Sequence, residues 1–204
     1  MNRLGFLIAR TLRDETALQS LSVPQEQLLA QLSGLRVALV GNARALAQSR
    51  HGAGIDAADL VIRINRAPMP SAVSHGTRTD WLALATRLGV ADRARLAPSR
   101  ILWMSPKRKR LDWTTARSPG FYLHPQADHR ALAGELGAPP TTGALMIALL
   151  ARSELAQLEL FGFDFFASLS LSGRRRADQV PHDFGGEAAW VARLQSADRR
   201  IIRH

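Results

Sequence analysis

Apolar residues recur along the chain in two rhythms, and the alternation between them predicts the order of elements. "RVALV" (36–40), entered from Gly34, is a short, almost continuous apolar run of the kind that forms a buried strand. "ARALAQSR" (43–50) follows with helical spacing, and "DLVIRIN" (59–65) predicts a second strand. "DWLALA" (80–85) and "RILWM" (100–104) predict two more, with a helical "TRLGVADRARLA" (86–97) between them. "GFYLH" (120–124) is a further short strand, and "QADHRALAGELG" (126–137) is a helix that closes on Gly137. An apolar helix, "GALMIALLARSE" (143–154), stands behind Pro139-Pro140-Thr141-Thr142. "LAQLELFGF" (155–163) is a strand running into Gly162, and "GGEAAWVARLQSA" (185–197) is a last amphipathic helix before "RRIIRH". Ahead of all this, "DETALQSLSVPQEQLLAQLSG" predicts two helical pieces broken at Pro24.

Strands alternating with helices at this spacing indicate an α/β fold around a mainly parallel sheet. In such sheets ligands bind beyond the carboxyl ends of the strands. Gly41-Asn42, Asn65 and Gly162 all fall at predicted strand ends, which puts them on one rim. The expected division is a helical appendage at 1–34 and one catalytic domain at 35–204, within the size of a single core.

Composition narrows the class. With 46% apolar residues the chain is not disordered. No apolar run reaches the roughly 18–20 residues that cross a bilayer, and "MNRLGFLIAR" lacks the h-region and cleavage site of a signal peptide. There is no cysteine, hence no disulfide and no thiolate chemistry, as suits a cytoplasmic protein. The formal charge is +10, and Lys107 and Lys109 are the only lysines among 27 basic residues. Arginine suits phosphate and carboxylate, although a GC-rich genome also writes arginine freely. Such a basic surface attracts nucleotides, nucleic acid or anionic headgroups. The "SPKRKR" loop (105–110), between Trp103 and Trp113, reads as a solvated turn, as an active-site rim, or as a binder of single-stranded nucleic acid.

Two short patterns carry chemistry. "PTTGALM" sets two hydroxyls and a glycine at a helix mouth: Thr141 or Thr142 can cap it, and free N–H groups of the first turn favour an anion. In "PHDFGGEAAW", His182 precedes a helix with Glu187 in its first turn, a proton acceptor with a carboxylate able to orient its ring. The chain has no G-x-x-x-x-G-K-[ST] loop, no G-x-G-x-x-G after a strand and no Asp-x-Asp, so the usual carboxylate pair for a metal-bound nucleotide sugar is missing.

In this order the patterns resemble glycosyltransferase family 29, the sialyltransferases that use CMP-activated sialic acid. The large motif of that family is similar to "VALVGNARALAQSRHGAGIDAADLVIRINRAP" through Val40-Gly41-Asn42, Ser49, Gly52, Ile55-Asp56, Asp59, Arg63, Asn65 and Ala67-Pro68, continuing in "HGTRTD" with Gly76 and Thr79. The small motif resembles "PTTGALMIALLARSELAQLELFGF", and the last is His182-x4-Glu187. The resemblance implies a single-domain variant of the GT-A-like (Rossmann-like) fold and a metal-independent, inverting transfer that needs no cofactor. It implies that Asn42 and Asn65 hold the CMP portion, with Gly41 and Gly162 at the same strand ends. Thr141, Thr142 and Gly143 would lie against the nucleotide or sugar carboxylate, and His182 would be the base with Glu187 in support. The donor sugar would be sialic acid or Kdo. The acceptor would be a glycan such as a surface-polysaccharide precursor, which draws a basic protein to the inner membrane surface.

The chain departs from the family in three respects. Val37 and Leu155 stand where animal members carry a disulfide, so packing replaces the crosslink there. No hydrophobic anchor precedes the motifs. The His-Tyr-type motif is missing, since no histidine lies between Phe163 and His182; Arg174, Arg175 and Arg176, or the helix mouth, would then steady the leaving phosphate. Two other readings compete: a family member that binds CMP without catalysing transfer, and a basic α/β nucleic-acid-binding protein.

Overall fold

The computed structural model describes residues 1–165, 171 and 182–204. Strands β1 (Arg36–Val40), β2 (Leu60–Ile64), β3 (Trp81–Leu84), β4 (Arg100–Trp103), β5 (Tyr122–Leu123), β6 (Gln157–Phe161) and β7 (Ile201–Arg203) form one sheet in the order β5-β4-β3-β2-β1-β6-β7. Every pairing in it is parallel. Parallel strands require crossovers, and helices supply them on both faces: α4 (Gly52–Asp56), α5 (Ala72–His75), α6 (Val90–Leu96), α7 (Trp113–Ala116), α8 (Gln126–Leu136), α9 (Thr142–Ala151) and α10 (Phe184–Ala197). Three more precede the sheet: α1 (Arg3–Leu12), α2 (Glu15–Gln19) and α3 (Gln25–Ala30).

The period of two along each strand divides the core. Val37 and Leu39 of β1 pack with Ile62, Leu160 and α9 on one face, while Ala38 and Val40 pack with Val61, Ile55 and Leu46 on the other. A third cluster under β3 and β4 takes in Phe6 and Leu18 from the first helices, and Leu28 and Leu32 join the cluster around α9. Apolar on every side, α9 is buried accordingly. Val37 and Leu155 both lie in that cluster, 0% and 2% exposed.

Several elements differ from the expectation. Residues 44–48 form a 3-10 helix, and the α-helical turn comes later, at α4. The helix expected over 86–97 begins only at Val90, with Gly89 at its cap. Within the helical appendage expected over 1–34, α1 precedes the two pieces read there, and β7 was not expected. Among the described residues no helix is long and apolar enough to cross a membrane.

Candidate active site

The strand order reverses between β1 and β6: later strands are added outward from β1 on one side and from β6 on the other. At such a switch point the loops leaving two neighbouring strands diverge and open a crevice. The large motif ends β1 there and the small motif ends β6. The two loops start in close contact. The Gly41 N–H donates to the Phe161 carbonyl at 2.7 Å and the Ala43 N–H to that of Gly162 at 3.2 Å. A Cβ on Gly41 would collide with the Gly162 carbonyl, and Gly162 itself sits at φ +70°, a conformation that glycine adopts without steric cost.

Asn42 follows directly. Its Nδ2 donates to the carbonyl of Ile64, the last residue of β2, at 3.0 Å. The next residue is Asn65, at φ 56°, in the left-handed region where asparagine is enriched. Its Oδ1 accepts from the Ala85 N–H at 2.9 Å, beyond the end of β3. Arg95 holds this turn by donating to the carbonyls of Arg66 and Ala67. Each amide thus uses one half to fix its own orientation. Among the described residues, Oδ1 of Asn42 and Nδ2 of Asn65 are left uncommitted, an acceptor and a donor at neighbouring strand ends.

The helix mouth joins the same rim through Phe163. A Cβ on Gly143 would lie 2.7 Å from the Phe163 ring, and one on Gly41 would lie 3.2 Å from its other edge. One aromatic side chain thus fills the gap between the β1 turn and the first turn of α9. Thr141, rather than Thr142, caps that helix, its hydroxyl accepting from the Ala144 N–H at 3.1 Å. Glu187, buried at the start of α10, accepts from the Thr141 N–H at 2.6 Å and from the Thr141 hydroxyl at 2.7 Å. Burial pushes the Glu187 carboxyl above its usual range, against the bonds from Thr141 and the nearby His182.

Both Glu187 oxygens therefore serve Thr141, and the carboxylate does not orient the His182 ring. That ring is held by the Pro139 carbonyl, 2.7 Å from Nδ1. A carbonyl only accepts, so Nδ1 carries a hydrogen, and in the neutral tautomer this leaves the lone pair on Nε2. His182 is half-buried and lies near His129, whose pKa is lowered by burial first, then by Arg108, Arg130 and His182. His124, at the end of β5, is pushed down to about 4, chiefly by burial, and is a neutral imidazole at physiological pH.

Asn42, Asn65, Thr141, Thr142, Gly143, Gly162 and His182 are thus linked around one rim. Arg174, Arg175 and Arg176 lie outside the described residues. Sequence reasoning missed Phe163, Pro139 and His129; a terminal aromatic in "LFGF" was the one signal available. Other large-motif residues brace the fold instead. Asp56 accepts from the N–H groups of Thr77 and Arg78 and from the Thr77 hydroxyl. Buried Arg63 donates to the carbonyls of His75 and Arg78, and burial lowers its pKa to about 10. Trp103 is fully buried and Trp113 packs on Phe6, 5.4 Å between ring centroids, so the pair offers no open platform for stacking bases.

The model of glycosyltransferase family 29 (sialyltransferase) matches residues 4–116, more than half of the chain and the part that contains both amides. Among solved structures the chain is similar to a mammalian sialyltransferase, with TM-score 0.63 and 19% identity over 84% of this chain and 69% of that one. It is also similar to the sialyltransferase CstII from Campylobacter jejuni in complex with cytidine-5'-monophosphate, with TM-score 0.54 and 12% identity over 84% and 80%. A structure of CstII with a trisaccharide acceptor and CMP gives TM-score 0.53 and 12% identity over 82% and 80%. At these identities the likeness is one of fold. No curated protein gives a significant match.

Proposed function

The chain belongs to glycosyltransferase family 29, the sialyltransferases, and from that premise we propose that it moves a keto-sugar acid, sialic acid or Kdo, from a CMP-activated donor to a glycan hydroxyl. The reaction is a metal-independent, inverting displacement at one pocket. The observation that carries this reading is the continuous contact from the paired amides, through Phe163, to a helix mouth whose cap is tied to the helix behind His182. CMP complexes of the structurally similar CstII support the choice of nucleotide.

The outward halves of Asn42 and Asn65 offer one acceptor and one donor, which suits the mixed edge of a cytidine nucleotide. In the first turn of α9, Ala144 and Leu145 give their N–H groups to Thr141. Those of Thr142 and Gly143 have no partner among the described residues. Aimed along the helix dipole, they favour the phosphate or the sugar carboxylate without a titrating group. With Nδ1 bonded to Pro139, Nε2 of His182 accepts the proton of the attacking hydroxyl, a step worth about 10²–10⁴-fold. CMP departs from the opposite face as a phosphate monoester. Alignment and fixed dipoles supply much of the rest.

The test has two parts. CMP at about 100 times its dissociation constant adds about 2.7 kcal/mol of stability, so thermal shifts should favour CMP over UMP, ADP and GMP. Mass spectrometry with CMP-sialic acid and CMP-Kdo, with and without EDTA, then identifies the donor. Equal shifts with all four nucleotides, or turnover abolished by EDTA, would contradict the proposal.

A further inference from the structure

Eight large apolar side chains are exposed among the described residues, and five of them, Met1, Leu4, Leu7, Ile8 and Leu12, lie in or beside α1. Leu4, Ile8 and Leu12 recur every fourth residue and are 66%, 51% and 73% exposed. At about 100° per residue they form a stripe roughly 80° wide, centred opposite Phe6. Phe6 and Ala9 anchor the inner face in the core beneath β3 and β4, and Arg10 fastens it to the Leu111 carbonyl at 2.9 Å. A helix that needed only to cover that core would carry polar residues on its outer face. This one is apolar on both.

Where α1 ends, a cavity of about 390 Å³ opens, lined by Arg13, Lys107, Arg108, Lys109, Arg110 and Gln126. Arg108 is its strut: buried, it pairs with Glu15 and donates to the carbonyls of Ser105 and His124. Arg13, Lys107, Lys109 and Arg110 have no acidic partner among the described residues. Arg13 holds φ 58°, an uncommon left-handed conformation for a residue with a side chain. Four uncompensated cations thus surround a hollow beside an unused apolar stripe.

We propose that α1 and this cavity form a docking surface for an anionic phospholipid membrane. The stripe enters the headgroup boundary, and a lipid phosphate occupies the cavity. Neither half makes sense alone. A soluble sugar phosphate would satisfy the cations and leave the stripe in water. A second copy of the chain would cover the stripe but bring one +10 molecule against another. An anionic bilayer satisfies both at once. The surface sits at the rim that holds the candidate active site: Asn65 bonds Ala85, and two residues on, Arg87 bonds the Arg110 carbonyl at 3.1 Å. Docking would therefore hold the pocket near the membrane surface. The assignment does not depend on the chemistry assigned to His182.

The full chain is sedimented, without any donor, with vesicles of phosphatidylcholine alone or with roughly one-third phosphatidylglycerol. Binding at least about tenfold tighter to the anionic vesicles, and released by salt, is the expected result. Each basic residue near such a surface is worth about fivefold. The variant Lys107→Ala/Lys109→Ala/Arg110→Ala should therefore bind about 100-fold more weakly. Leu4→Ser/Ile8→Ser/Leu12→Ser should lose about 100-fold or more. All six positions are exposed, and unchanged circular dichroism and melting temperature identify the variants as folded. No binding to anionic vesicles, or undiminished binding by the serine variant, overturns the proposal. So does a dimer dispersed by the serine substitutions without vesicle binding, which would give the stripe to a second copy.

Discussion

At the scale of single residues, the imidazole and the amides should separate chemistry from binding. His182→Ala removes the proton acceptor, so kcat should fall about 10²–10⁴-fold while CMP affinity, measured by calorimetry, is retained; lost affinity with unchanged turnover would refute the assignment. Asp56 tests a different kind of residue. Burial alone would raise its pKa, but the N–H groups of Arg78 and Thr77 and the Thr77 hydroxyl, with Arg63 nearby, hold it below the ordinary carboxylate value. A lowered folded pKa stabilises above the unfolded value, near ~3.9, and that stability is lost as pH falls through the folded value. Asp56→Asn should cost about 1–2 kcal/mol at neutral pH in urea melts, allowing for solvent screening, and should flatten the acid limb of the stability curve. An unchanged acid limb would remove Asp56 from its bracing role. Asn42 and Asn65 were legible in the sequence because each stands where an apolar run stops. Pro139 was not, because its contribution is a backbone carbonyl, identical in every residue type. Nor could the sequence reveal that Glu187 serves Thr141, since its partner is 46 residues away.

At the scale of elements, the close contact at the switch point makes the sharpest prediction. In Gly41→Ala the new methyl group meets the Gly162 carbonyl, so the ends of β1 and β6 must separate. Overpacking of this kind costs about 1–3 kcal/mol. The expected result is a lower denaturation midpoint together with weaker CMP binding, because Asn42 rides on the same turn; equal affinity in a destabilised variant would detach the turn from the donor. Buried strands were easy to read, since six of the parallel strands announce themselves as apolar runs bounded by turns. Pattern failed where it was short or doubled. The three residues of β7 gain their strand character from pairing with β6. The first helix was not drawn separately within the helical appendage, because its more continuous apolar face, with Leu4, Ile8 and Leu12, looks outward rather than into the core. The 3-10 turn over 44–48 shows tertiary contact overriding helical spacing, with Leu46 drawn into the small cluster around Val40.

At the scale of the molecule, one sheet sets the site. All seven strands point the same way, so their carboxyl ends share an edge, and a basic, cysteine-free chain gathers its paired amides, helix mouth and imidazole there. Val37 of β1 and Leu155, just ahead of β6, belong to the same apolar cluster beneath that edge. The alternation of elements was enough to foresee this edge; the side chains that bridge its parts were not foreseeable, because they belong to contacts between distant segments. The order β5-β4-β3-β2-β1-β6-β7 also fixes when the rim is completed on the ribosome. The amides emerge within the first third of translation, whereas residue 182 follows about ten seconds later at typical elongation rates. Until residues 157–161 have also emerged, the nascent polypeptide can pair its first five strands yet leaves the β1 edge without its β6 neighbour, so the crevice between them has a single wall.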